Sequence, residues 1–113
     1  MALLSTQVVP VTGLRYDNTL VAAAGGGDTA ETGGGVFLVV KNASGASITV
    51  TLVTPEVFDG DLTLLDRAVS VAATTGQSFI PLTSRYRDPT TGVASITYSA
   101  VTSVTVGVFR VPV

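Results

Sequence analysis

The sequence predicts an all-β domain, a single antiparallel β-sandwich or small β-barrel. Residue choice, period-2 alternation and regularly spaced turn signals carry that expectation. The 113 residues include 19 Val, 17 Thr and 9 Ser, while Lys, Glu, Gln and Met are scarce. Branching at Cβ restricts χ1 in a helix and suits a pleated surface. In SITVTLVT, Ile48, Val50 and Leu52 fall on one face, and Thr49 and Thr51 on the other, the signature of a half-buried strand. Turn signals follow one another at roughly eight- to twelve-residue intervals, as in sandwiches and small barrels.

Taken in order, residues 1–14 read as an N-terminal arm or first strand, with TQVVPVTG (6–13) interrupted by Pro10. Residues 17–34 read as a Gly-rich flexible segment. Six glycines fall within GGGDTAETGGG (25–35), which makes ordering entropically costly. Two readings of that segment stand side by side: a surface loop without a role, or an arm that orders on a neighbouring subunit. On the second, deleting 25–34 leaves the fold intact and weakens attachment to a partner.

Residues 35–113 form the expected β core. GVFLVVKN (35–42) is continuously apolar up to its Lys-Asn end, as for a strand covered on both faces. NASGAS (42–47) is a Gly-centred turn, so 35–54 reads as a β-hairpin. RAVSVAA (67–73) and SFIPLT (78–83) are strands joined by a turn, and Pro81 marks the second as an edge strand or bulge. GVASITYS (92–99) turns Ile96 and Tyr98 inward, and TSVTVGVFRV (102–111) does the same with Val104, Val106 and Val108. ALLSTQ and FDGDLTLLD are each given at most a single helical turn. The expected core is Phe37, Val39, Ile48, Val50, Leu52, Val69, Val71, Ile80, Ile96, Tyr98, Val104, Val106 and Val108.

Charged residues make up only 12% of the chain against 46% hydrophobic, where ordinary soluble domains carry about 25% charge. So sparse a charge suggests that a partner covers part of the surface. With a net charge of −2, one Lys and five Arg, the chain has no basic patch for nucleic acid. There is no cysteine, hence no disulfide or thiolate metal site. MALLSTQVV lacks the charged start of a signal peptide, and no apolar run has the length of a membrane span. No nucleic-acid or membrane partner is expected.

Chemistry has few carriers. Without His or Cys, the usual general base, the usual nucleophile and most transition-metal sites are missing, so no enzyme activity and no cofactor are expected. PEVFDGDLTLLDR holds Glu56, Asp59, Asp61 and Asp66, an acidic cluster read first as turn chemistry around Asp-Gly and second as a cation site. It lacks the EF-hand spacing. The Gly-rich segment has no P-loop lysine and carries two acids. Asn42-Ala43-Ser44 matches a glycosylation sequon but reads as a turn. SRYRDP (84–89) groups Arg85, Tyr86 and Arg87, residue types enriched at interface hot spots. The expected partner-binding residues are Arg15, Tyr16, Leu20, Val21, Arg85, Tyr86 and Arg87, and partner contacts are also expected across the segments 1–14, 17–34 and 84–91.

From Gly33 to Val111 the chain resembles small virion proteins of tailed bacteriophages that decorate and stabilise the capsid. The resemblance rests on a Gly-led strand ending in Lys41-Asn42, on Thr54-Pro55, on Asp66-Arg67 before a Val-rich strand, and on Tyr98-Ser99 and Phe109-Arg110. It implies a β-sandwich or barrel that binds the major capsid protein on the outer surface of the assembled shell as a homo-oligomer. It also implies assembly in the bacterial cytoplasm and residence in the virion. Two alternatives stay open: a small tail or neck connector or tail-associated β protein, and a host- or carbohydrate-binding module.

Overall fold

The computed structural model describes residues 2–15, 19–55, 57–58, 62–63 and 65–111. Among them are twelve strands: β1 (Ala2–Leu3), β2 (Thr6–Val8), β3 (Val21–Ala22), β4 (Asp28–Ala30), β5 (Val36–Asn42), β6 (Ile48–Leu52), β7 (Val57–Phe58), β8 (Leu62–Thr63), β9 (Arg67–Val71), β10 (Gly76–Pro81), β11 (Ala94–Tyr98) and β12 (Val104–Arg110). One sheet runs β1-β4-β11-β6-β9; the other runs β10-β5-β12-β2, with β3 also on β12. β7 and β8 form a separate small ribbon. Both large sheets are open, so the fold is a β-sandwich and not a barrel. Most pairings are antiparallel; β1 on β4 and β2 on β12 are parallel.

Alternation along the strands builds the core between the sheets. Ala30, Ile48, Val50, Leu52, Val71 and Ile96 face it from the first sheet, and Leu38, Val40, Ile80, Val104, Val106 and Val108 from the second. Burying an aliphatic side chain of this size stabilises the fold by about 1.5–3 kcal/mol. Val69 and Tyr98 pack against this core while remaining partly exposed. Phe37 and Val39, both expected in it, point the other way. β5 presents Val36, Leu38, Val40 and Asn42 inward, and the period of two sends Phe37 and Val39 to the outer face. The expectation that this strand is covered on both faces holds, because Val39 is also buried.

The 35–54 stretch is not a hairpin. β5 pairs with β10 and β12, and β6 with β9 and β11, so residues 43–47 carry the chain from one sheet to the other. Asn42, completely buried, holds that crossing. Its amide nitrogen donates to the carbonyls of Ala46 (2.9 Å), Val71 (3.3 Å) and Ala72 (3.1 Å). Its Oδ1 accepts from the N–H (3.0 Å) and hydroxyl (2.6 Å) of Ser44. The side chain of the apparent sequon is thus the centre of a turn. A second crossing, residues 72–75, joins β9 to β10. There the chain folds so tightly that a Cβ on Gly76 would collide with the Ala72 carbonyl oxygen.

The Gly-rich segment does not stay loose. Residues 17–34, expected to be flexible, supply β3 and β4, and β4 lies between β1 and β11. Asp28 and Ala30 of β4 are buried, as is Ala23 before it. Gly25 and Gly26 form the turn that returns the chain into β4; the Gly27 N–H donates to the Ala24 carbonyl (3.0 Å), and Gly27 has φ 94°, a value glycine adopts without cost. Asp28 secures this turn by accepting from the Ala24 N–H (3.3 Å) and from the Tyr98 hydroxyl (2.8 Å). Burial, then that bond, then the charge of Asp28 push the Tyr98 phenol far above its ordinary value.

The N-terminus also differs from expectation. The ALLSTQ stretch takes no helical turn; it crosses from the first sheet as β1 to the second as β2, with Leu4 buried between them. Of FDGDLTLLD, the described residues Leu62 and Thr63 form β8. The described helical turn is a 3-10 turn at Ser84–Tyr86. Pro81 ends β10, an edge strand of its sheet, as its missing N–H requires.

Candidate interaction surface

Two surface regions are built from residues whose chemistry exceeds what the core needs. The first is the outer face of the second sheet. Register places Phe79 beside Val39 on β5, and Phe109 beside Phe37, so their rings gather on the face turned away from the core. The Phe37 ring lies 5.5 Å from Phe79 and 5.9 Å from Phe109, centroid to centroid, within the range of favourable aromatic pairs. With Val9 and Leu14 they line a hollow of about 150 Å³. Phe109 is buried, yet Phe79 is 65% exposed and Val11 is wholly exposed.

Leu20 lies on the same sheet. Its Cδ2 occupies the space over Gly107, 2.7 Å from where a Cβ would be, so the missing side chain on β12 makes room for it. Val21 is on β3, half exposed, and lines a cleft of about 450 Å³ between the N-terminal strands and β12. Leu20 and Val21 therefore sit beside β12, as fold-building residues with partly open side chains. Arg15 is exposed at the end of the excursion after β2. Tyr16 lies outside the described residues.

The second region is where Thr54 and residues 65–67 come together with residues 85 and 86. Arg85 and Tyr86, on the 3-10 turn, line a hollow of about 600 Å³ with Thr54, Leu65, Asp66 and Arg67. Asp66 Oδ1 accepts from the Thr54 N–H at 2.8 Å, which closes the base of the loop carrying β7 and β8. Of the acidic cluster, Glu56, Asp59 and Asp61 lie outside the described residues. Arg87 does not line this hollow: its guanidinium lies beside Gly92, its N–H donates to the Ser84 carbonyl (3.1 Å), and it forms a backbone bridge with Ala94.

The seven expected partner residues thus divide. Arg85 and Tyr86 share one hollow, while Leu20 and Val21 lie beside β12. Sequence reasoning missed Arg67, Leu65, Phe79 and Phe109. One signal for Phe79 was present: in SFIP, Phe79 and Ile80 are adjacent, so a strand that buries one must turn the other outward. Comparison with protein-family models, curated proteins and solved structures gives no match to this chain.

Proposed function

We propose that the protein is a non-catalytic adhesion module: a bacteriophage virion protein that decorates the capsid and stabilises it by binding the major capsid protein. The observation that carries this reading is the second apolar face. A sandwich needs only one such face for its core. Here Phe37, Val39, Phe79 and Phe109 build another, with Phe79 65% exposed. An apolar outer face from which Phe79 stands open, on a chain with 12% charged residues, suits a surface that a partner covers. The resemblance over Gly33–Val111 supplies the partner. Binding to the assembled shell but not to free coat subunits stabilises the shell by linkage, and many copies acting together allow each contact to be weak.

Co-sedimentation with purified particles tests the proposal. The protein is expected to pellet with intact DNA-filled heads, saturably, and to stay in the supernatant with purified tails. Pelleting with tails alone favours a tail or neck component. Saturable binding on a glycan array with no binding to heads favours a carbohydrate-binding module. Failure to bind either heads or tails ends the virion reading.

A further inference from the structure

The hollow at the 84–91 end carries a charge pattern of its own. Two of the chain's five arginines, Arg67 and Arg85, line it together, and both are exposed. Neither forms an ion pair with a carboxylate among the described residues. Asp66, on the same wall, has one oxygen engaged by the Thr54 N–H. The hollow is also bordered by the half-buried Tyr86 and by Leu65, which is 94% exposed. In a protein of net charge −2, the described lining sets these two guanidinium-bearing side chains against the single carboxylate of Asp66 on a concave area lined partly by carbon.

The geometry points to a docking site for an extended, carboxylate-bearing segment of a partner protein. Arginine forks match carboxylates in two parallel N–H···O bonds, stronger than neutral hydrogen bonds and geometrically selective. Leu65 and the Tyr86 ring offer apolar contact to the stem of a Glu or to an apolar neighbour in the same segment. Arg and Tyr flanked by an apolar side chain is the composition of a hot spot. Charge complementarity therefore selects an acidic, partly apolar stretch of polypeptide. The inference rests on the adhesion reading for its biological setting, since it specifies the chemistry that the partner presents at this end.

The test is carried out without any particle, so its failure is separate from failure of head binding. The full chain, uniformly labelled with ¹⁵N, is titrated with a capped peptide of alternating Glu and Leu, with the Gln-Leu counterpart, and with inorganic phosphate. Saturable amide shifts are expected at Thr54, Leu65–Arg67 and Arg85–Arg87, with half-saturation at or below about 1 mM peptide. The doubly substituted R67Q/R85Q protein, changed only at exposed positions, should lose about tenfold or more in affinity while keeping the wild-type spectrum elsewhere. Raising salt from about 50 to about 500 mM should weaken binding by a similar factor. No saturable shift, equal binding of the Gln-Leu peptide, unchanged affinity in R67Q/R85Q, or phosphate saturating the same amides equally well would each overturn the inference.

Discussion

Replacing Asn42 by Ala is the most severe test of how this sandwich is held together. The side chain makes five contacts of 2.6–3.3 Å, three donated to backbone carbonyls and two accepted from Ser44. An amide has two hydrogens, so three carbonyls share them. Truncation removes the donors for the Val71 and Ala72 carbonyls and the acceptor for the Ser44 N–H. A net hydrogen bond is worth about 0.5–1.5 kcal/mol, and a buried polar group left unsatisfied costs about 1–3 kcal/mol. Allowing water to reach the more exposed Ala46 and Ser44 sides, the loss comes to about 3–5 kcal/mol, out of a total stability on the order of 5–15 kcal/mol. Urea unfolding followed by far-ultraviolet circular dichroism should show a midpoint lower by roughly 2 M with little change in slope. The isosteric N42D, which keeps the acceptor but loses both donors, should be nearly as damaging. A midpoint within about 0.5 M of wild type for N42A would falsify the argument that this residue ties the two crossings together.

Three further outcomes follow from the same geometry. The neutral form of Tyr98 is favoured in the folded state, so its contribution is fully present below about pH 10, the unfolded value, and declines as pH rises beyond it. The melting temperature should therefore drop above that pH. Y98F should be less stable at neutral pH by about 1–3 kcal/mol and have a shallower alkaline limb; an unchanged limb would remove Tyr98 as its source. Deleting 25–34 takes out β4 from between β1 and β11, so the truncated chain should lose its cooperative unfolding transition. A folded truncation product would restore the loose-arm reading. Finally, F79K changes a side chain that is 65% exposed and should alter stability by no more than about 1 kcal/mol, while co-sedimentation with heads weakens about tenfold or more. Wild-type sedimentation by F79K would show that the outer aromatic face is not the contact.

The residue pairs that carry the family resemblance have identifiable work within the fold. Asn42 holds the crossing after β5. Thr54 and Asp66 close the base of one loop through a 2.8 Å bond. Tyr98 donates to the buried Asp28, and the neighbouring Ser99 hydroxyl oxygen accepts from the Thr49 N–H at 2.8 Å. Phe109 is buried within the outer aromatic cluster. What such pairs specify is a folded body. Phe79, Val11, Leu65, Arg67 and Arg85 are instead side chains that the fold leaves exposed, and on the proposed reading these are the ones open to a partner.

The β class and most strand positions were legible in the sequence by itself, because period-2 alternation and Cβ branching act locally. Ile48, Val50 and Leu52, and likewise Val104, Val106 and Val108, are assigned to one face by their own spacing. The continuous run VFLVV carries no such phase, and the choice of Leu38 and Val40 over Phe37 and Val39 was made by what lies on each side of β5. Whether consecutive strands pair or separate into different sheets was likewise a tertiary decision. At 42–47 it turned on a buried Asn42 whose carbonyl partners, Val71 and Ala72, lie 29 and 30 residues away. The glycines of 25–35 signal conformational freedom only. That this freedom is used to make a tight turn into a buried strand depended on Tyr98, 70 residues away, reaching Asp28. The same holds for the arginine hollow: Arg67 and Arg85 line it together because the start of β9 and the 3-10 turn at Ser84–Tyr86, from separate parts of the chain, come to the same hollow, and long-range placement of that kind leaves no periodicity to read.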